Sequence, residues 1–400
     1  MSSAEKPLGG AAKRQIRLGV AGLGRAFTVM LPTLARDPRI ALVAAADPRA
    51  DARARFASDF SAKTYETVEA LCADANVEAV YIATPHQHHA AHAAVAARHG
   101  KHMLIEKPMA LTFADCAAMI EAARKANVQL IVGHSHSFDA PIARTRALIE
   151  SGEFGAVRMI SAMNFTDYLY RPRRPEELDT AQGGGAVFNQ GSHQIDIVRL
   201  LGGGRVKSVR AATGRWDRAR PTEGAYAALL EFDDGAFANL AYNGYGHFDS
   251  DEFQGWVGEL GQAKTPNAVK PRRTFTDGAH EAEQKNAGSY GGPDYRPASA
   301  QPAAHQHFGP IVVSCERADL RPQPNGVLIH QNGGVRLDPL PPPSVPRAEV
   351  IDELYGAIVD GTPPLHSGAW AMATLEVALA VLRSAREHRD VALHHQIGVA

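Results

Sequence analysis

From Ile16 onward the chain sets short, almost wholly apolar runs between longer alanine-rich stretches: "IRLGVAGLGRA", "IALVAAAD" at 40–47, "VEAVYIATP" at 77–85, "KHMLIEKP" at 101–108 and "VQLIVGHS" at 128–135. Strands that are apolar on both sides are covered on both sides, and helices between them supply the crossovers. The pattern therefore predicts an α/β unit with a doubly wound parallel sheet over residues 15–138, ending near Asp139. After "FDAPIARTRALIESGEFGAVR", read as a helix stopped by Gly152 and Gly155, the texture changes to "VKSVRAATGRW", "GAYAALLEF" and "GAFANLAYNGY". "FDDGAF" carries a hairpin turn at Asp234–Gly235. Residues 139–400 are thus expected to form an α+β domain with a large open, mostly antiparallel sheet. Helices over about 347–360 and 367–388 close the chain, and residues 262–305, rich in Pro, Gly and polar side chains, read as a long, partly ordered excursion.

Composition narrows the function. The chain has 400 residues, 45% hydrophobic, and 42 Lys+Arg against 43 Asp+Glu leave a net charge of -1, so nothing pulls the whole molecule toward nucleic acid or an anionic membrane. Residues 1–14 are small and polar and read as a frayed leader without a signal-peptide core. No later stretch approaches the eighteen or so apolar residues of a membrane span, and the expectation is a cytoplasmic protein. Cys72, Cys116 and Cys315 are odd in number and far apart, which disfavours a disulfide framework and fits small core residues.

The chemistry begins at the first strand's end. In "GVAGLGRAF" the stretch Gly22, Leu23, Gly24, Arg25 and Ala26 joins a strand to a helix whose free N–H groups can hold a pyrophosphate, the dinucleotide-binding arrangement of a Rossmann domain. Phe27 stands where a third glycine is usual, so the helix is expected to sit farther from the strand. Asp47 ends the second apolar run about twenty residues on, where a carboxylate accepts ribose hydroxyls and repels a 2′-phosphate, favouring NAD over NADP. Arg49 is either a phosphate-seeking side chain or a solvated one. Thr84 and Pro85 follow the next strand on the nicotinamide side. His88 and His92 have the spacing of a metal pair, but no nearby carboxylate or thiolate completes a set, so no metal is expected.

The glycine loop, "ATPHQHHAAHAAVAARHGKHMLIEKP" and "GGGAVFNQGSHQID" together resemble the glucose–fructose oxidoreductase and inositol dehydrogenase family over residues 15–260. The resemblance implies hydride transfer to a nicotinamide cofactor, and an open C-terminal sheet that forms a homodimer or homotetramer. It implies that Lys107, at a strand's carboxyl end, binds the reacting hydroxyl and helps remove its proton, with Glu106 and His89 in the cofactor-facing set and Pro108 fixing the backbone. Burial or a neighbouring cation must lower the Lys107 pKa for this. His193 falls on the second catalytic position, with Asp196 three residues on and expected on the same side of a helix. Where family members carry an aspartate this chain has Asn189, which can bond a hydroxyl but cannot take a proton.

"YLYRPRRPEELD", the segment 214–252 and "FGPIVVSCERADLRPQPNGVLIH" are similar to a bacterial subgroup of that family that oxidises phthalate 4,5-cis-dihydrodiol. On that resemblance Arg171, Arg173 and Arg174 are forks for ring carboxylates; the alternative is that they pair with Glu176, Glu177 and Asp179. Tyr168, Tyr170 and Trp216 either flank a flat ring or pack in the core, and "HFDSDE" is either a pocket edge or a polar strand end. The expected partner is a small cyclic diol, with no nucleic acid and no membrane. A sugar or inositol dehydrogenase and a non-catalytic NAD-binding regulator are the rival readings.

Overall fold

The computed structural model describes residues 14–133, 135–267, 278–297 and 304–399. The expected leader, Arg14 apart, and two parts of the 262–305 excursion lie outside these residues.

The N-terminal domain is a six-stranded parallel sheet of order β3-β2-β1-β4-β5-β6. Its strands are β1 (Ile16–Ala21), β2 (Ile40–Ala46), β3 (Lys63–Tyr65), β4 (Ala79–Ile82), β5 (His102–Ile105) and β6 (Leu130–Val132). The short edge strand β3, "KTY", has no apolar run to announce it and was not anticipated. Between them run α1 (Arg25–Arg36), α2 (Ala50–Phe60), α3 (Val68–Ala73), α4 (His89–Arg98) and α5 (Phe113–Ala126). Thr67 and Thr112 cap α3 and α5 by accepting the Ala70 and Asp115 N–H groups, and Asn127 ends α5 in the left-handed region. Separate apolar clusters cover the two faces, with Val80, Ile82 and Ile105 in one, and Leu18, Tyr81 and Leu104 in the other.

The C-terminal domain begins with α6 (Ala140–Glu150), β7 (Val157–Phe165) and α7 (Ser192–Leu201), then β8 (Val206–Gly214), β9 (Ala225–Phe232) and β10 (Phe237–Asn243). After α8 (Gly278–Ala287) come β11 (Ile311–Cys315), β12 (Asp319–Gln323), β13 (Gly326–Gln331) and β14 (Gly334–Pro339), then α9 (Ala348–Tyr355), α10 (Gly368–Glu387) and β15 (Val391–Ala392). The strands form one nine-stranded sheet, order β14-β13-β12-β11-β7-β10-β9-β8-β15. Every pairing is antiparallel except β7 with β10. In β9 buried and exposed positions alternate, because one face packs on α7 and α10 and the other is open. The expected hairpin turn is present, with Gly235 at φ +87° and Asp234 accepting the Ala236 N–H. Helix α10 is long and apolar enough by composition to cross a membrane, contrary to the sequence expectation, but most of it is buried against β8, α5 and α7.

The excursion holds more structure than its composition suggests. Helix α8 places Glu281 on Arg220 (2.7 and 2.8 Å), both side chains buried, and Lys285 on Glu177. Beyond it Tyr290 is fully buried, edge-on to Phe27 at 5.1 Å and donating to Asp59 at 2.8 Å. Phe27, in the place of the missing glycine, is thus part of the joint between α1, α2 and the excursion. The segment straps the two domains together on the cofactor-loop side. Breaking a buried ion pair strands a charge, whereas replacing both partners by apolar groups removes the problem. Glu281→Gln should therefore lower unfolding free energy in urea by roughly 3–5 kcal/mol, and Arg220→Met with Glu281→Leu should regain most of it.

Candidate active site

Gly22 has φ +93°, and a Cβ there would lie 2.8 Å from the Ala83 carbonyl oxygen, so only glycine lets β1 turn this close to the end of β4. Gly24 differs: a Cβ on it would meet nothing within 4 Å. It is the N-cap of α1, with no side-chain cap and no acidic residue in the first turn, so the first N–H groups, those of Arg25 and Ala26 among them, face open space. Asp47 is buried at the end of β2; it accepts the Leu23 N–H at 2.7 Å and the Arg49 N–H at 2.9 Å. Arg49 lies along it, Nε 3.2 Å from the carboxylate and Nη2 2.9 Å from the Leu23 carbonyl. It thus ties Asp47 to the glycine loop. An uncapped helix start, an empty glycine and a carboxylate beyond them fit a dinucleotide's pyrophosphate and adenosine ribose.

The loops after β4 and β5 are tied by His89. Its ring is fully buried, Nε2 2.9 Å from the Thr84 carbonyl and Nδ1 3.0 Å from that of Pro108. Expected at the cofactor, His89 instead bolts the cofactor-side loop to the Lys107 loop. Thr84 Oγ1 bonds His92 Nδ1 at 2.9 Å, and Pro85 opens the turn that carries His86. Glu106 is buried and accepts the Tyr81 hydroxyl, so it too supports the segment from behind.

Lys107 Nζ donates to the Asn189 carbonyl at 2.8 Å, joining β5 to a π-helical turn, Val187–Gly191, that leads into α7. The Asn189 side chain, expected on a substrate hydroxyl, gives its amide to the Gly183 and Gly185 carbonyls at 3.1 and 2.9 Å. Its main-chain carbonyl is what accepts from Lys107. Burial pushes the Lys107 pKa below its ordinary value; Glu106 and Glu259 oppose this, and Arg173 adds to it. His86 is held neutral, down to about 3, by burial and by the charges of His89 and Lys107.

His193 opens α7 and is buried, its ring 4.8 Å from that of His136 and 5.1 Å from Phe308. Asp196 does not share its side chain with His193. It accepts from Ser137, from Trp370 Nε1 (2.7 Å) and from Thr374 (2.6 Å), anchoring α7 to α10 and to the loop after β6. His136 stands between two carboxylates, Asp139 at 2.6 Å from Nδ1 and Glu259 at 3.3 Å from Nε2. Burial disfavours its charge, yet Asp139 and Glu259 raise it to about 9. Burial works against Glu259 as well, but His136 and Arg171 bring it down to about 2.

Sequence reasoning missed His136, Asp139, Glu259, Phe308 and His86. His136 had a signal, because it follows the last strand at the same carboxyl edge as Lys107; Glu259 and Phe308 had none.

The arginines divide. Arg171 bonds Asp167 at 3.1 Å and also feels Glu259. Arg173 lies over the Tyr168 ring, 3.7 Å from its centroid, and donates to the Tyr168 carbonyl at 2.7 Å. Arg174 pairs with Glu176 at 3.7 Å. Asp179 pairs with none of them and caps Ala181 instead. Tyr168 is buried among Arg173 and Tyr242, Tyr170 bonds Asp217, and Trp216 is 66% exposed on Tyr245. These aromatics pack, and Phe308 is the ring beside His193.

A family model described as oxidoreductase family, NAD-binding Rossmann fold matches residues 16–134, and the GFO/IDH/MocA C-terminal domain matches 142–259. The chain is 49% identical to 1-carboxy-3-chloro-3,4-dihydroxycyclohexa-1,5-diene dehydrogenase of Comamonas testosteroni, over 93% of this chain and 95% of that one. A crystal structure of a Bordetella bronchiseptica RB50 protein superposes with TM-score 0.89 at 42% identity, over 95% of this chain and 100% of the other. A Bordetella pertussis dehydrogenase in complex with NADH and UDP-GlcNAcA shares the fold, with TM-score 0.66 and 22% identity over 95% and 99% of the two chains.

Two outcomes follow from the geometry. Gly22→Ala should lower the melting temperature, whereas Gly24→Ala should leave it in place and weaken NADH binding roughly tenfold or more, read by fluorescence titration, because its methyl enters the pyrophosphate space. His136, raised from 6.5 to about 9, adds stability that is complete below about pH 6.5 and is lost as pH rises through about 9. The difference in urea stability between the wild type and His136→Gln should therefore shrink between roughly pH 6 and pH 9.5.

Proposed function

The chain belongs to the Gfo/Idh/MocA oxidoreductase family, and from that premise we propose that it oxidises a ring-carboxylated cyclic vicinal diol, phthalate 4,5-cis-dihydrodiol going to 4,5-dihydroxyphthalate, with NAD as acceptor. The chain is a dehydrogenase with an NAD(P)-binding Rossmann domain. The observation that carries the substrate reading is a set of cationic side chains: His136, Arg171 and Arg25, which interact with Glu259, and Arg173, which interacts with Lys107. Cations gathered around a base suit a substrate that brings its own anion. The Comamonas relative's name describes a ring with one carboxyl and adjacent hydroxyls, which supports the same class.

A dinucleotide held by its pyrophosphate at the glycine loop would supply the hydride acceptor, its nicotinamide on the Thr84 and Pro85 side. Lys107, its pKa lowered, accepts the proton of one ring hydroxyl while the hydride leaves the same carbon. His193, across the cleft, fixes that hydroxyl and shares the proton. The Asn189 carbonyl aims the Lys107 amine, and Phe308 offers the ring a flat apolar wall. The resulting hydroxy-dienone tautomerises to a catechol, so positioning and proton removal are what the protein must supply. Asp47 favours the free ribose of NAD over the 2′-phosphate of NADP. Assembly as a homodimer or homotetramer through the open sheet face is supported by the exposed Leu229 and Phe237, which lie on that face of β9 and β10.

The reading is tested by NADH absorbance with cis-dihydrodiols of phthalate and benzoate beside myo-inositol and glucose. The carboxylated diols should turn over. Lys107→Ala should keep NADH binding and lose about 10²–10⁴ in kcat. In the wild type kcat/KM should rise with pH and level off below the ordinary lysine value of 10.5, because the neutral amine is the base and burial lowers its pKa. Turnover confined to the polyols would discard the substrate reading.

A further inference from the structure

Glu259 is the group in this cleft that the proposed chemistry does not use. It sits on a tight loop closed by the Val257–Ala263 bridge and by the Gly258 N–H to Gln262 carbonyl bond at 2.7 Å. Its side chain is 29% exposed, whereas His136 behind it is 1% exposed. The two carboxylates on His136 are held unequally. Asp139 closes to 2.6 Å and is buried; Glu259 reaches only 3.3 Å, long for a charge-assisted bond. Glu259 is also the leading anion for Arg25 and Arg171, and Lys107 feels its charge after that of Glu106. Phe308 spans from His136 to His193, its ring 5.2 Å from the first and 5.1 Å from the second.

Resting on the reading of the substrate as a carboxylated ring diol, we propose that the Glu259 carboxylate occupies the seat of the substrate's ring carboxylate. On binding, Glu259 leaves His136 Nε2, and the substrate carboxylate takes its place before His136 and Arg171. The ring then lies along Phe308 with its hydroxyls toward Lys107 and His193. Asp139 stays on Nδ1 and keeps His136 charged throughout. Glu259 is in this view an internal counter-ion: it neutralises the cation cluster when the cleft is free and competes with the substrate carboxylate for that seat, whereas a ring lacking a carboxylate must bind without releasing it.

The test uses the full chain loaded with NAD, titrated calorimetrically with benzoate and, separately, with benzamide of nearly the same shape. Wild type should prefer benzoate. Glu259→Gln removes the internal competitor and should tighten benzoate roughly fivefold, with Glu259→Asp, which retracts the carboxylate, moving the same way. Arg171→Gln and His136→Gln should each weaken benzoate roughly tenfold or more. In turnover, the ratio of kcat/KM for a carboxylated diol over its uncarboxylated counterpart should rise in Glu259→Gln and fall in Arg171→Gln. Wild type binding benzamide as well as benzoate, or Glu259→Gln binding benzoate no better than wild type, would overturn the inference. Because benzoate binding needs no turnover, absence of diol oxidation sinks the functional proposal separately. Oxidation of carboxylated diols with an unmoved ratio sinks this one alone.

Discussion

The hydrogen bond from Lys107 Nζ to the Asn189 carbonyl is the contact on which the site depends. It takes an amine from the carboxyl edge of one sheet and ends it on the main chain of the other domain, 82 residues away in sequence. A lysine reaching across a cleft loses hydration, and with it the stability of its charged form. The lowered pKa of the amine is therefore a property of how the domains meet, and whatever holds them together contributes to that shift. The Glu281–Arg220 pair and Tyr290 do this on one side. On another, Arg347 donates to the Val29 carbonyl at 2.7 Å and to Gln306 at 2.8 Å, linking α1 to the segment ahead of α9.

His193 rides on a helix that a neighbouring residue fixes to the core. Asp196, one turn on, accepts from Ser137, Trp370 and Thr374, while His366 bonds Ser137 Oγ at 2.8 Å and Glu353 at 2.8 Å. A buried carboxylate with three donors has little freedom to move, and the helix it anchors has no more. The arrangement divides labour along α7: Asp196 faces the core and fixes the helix, and His193 faces the cleft. His89 does for the two Rossmann loops what Asp196 does for α7.

Local features were legible in the sequence and long-range ones were not. The apolar runs, the glycine loop with Asp47, the Asp234–Gly235 turn and Lys107 at a strand end all follow from rules that act within a few residues, and each is where the pattern put it. The arginine run was ambiguous because a guanidinium's fate depends on partners outside its own segment. Arg173 lies on Tyr168 and Arg171 on Asp167, and of the acidic residues just downstream Glu176 holds Arg174 and Glu177 reaches Arg173 at 4.0 Å, while Asp179 holds none of the three. Asn189 was judged by its side chain, whereas a π-helical turn, which no short pattern announces, turns its carbonyl to Lys107. Glu259 comes from a polar loop 123 residues beyond His136, and only tertiary structure brings the two together.

The charges of the cleft then explain one another. Arg171 and Arg173 repel the charge of Arg25, and Arg173 also suppresses the protonation of Lys107 beyond what burial does. Among the described residues, Glu259 and Asp139 answer that repulsion from the cleft side, and Glu106 answers it from beneath. Asp139 and Glu106 are buried and held at short range, so they set a constant background. Glu259 alone is partly open to solvent and weakly bonded, and the balance can be changed through it without unfolding anything else. A substrate anion arriving in the same place would leave the net charge around Lys107 as it was, so the amine would keep its affinity for the proton it must take. A neutral ring would have to bind beside Glu259, in a cleft already filled by that carboxylate. On the proposed reading, selectivity for an anionic diol and a lysine with a lowered pKa are two results of one arrangement of charge.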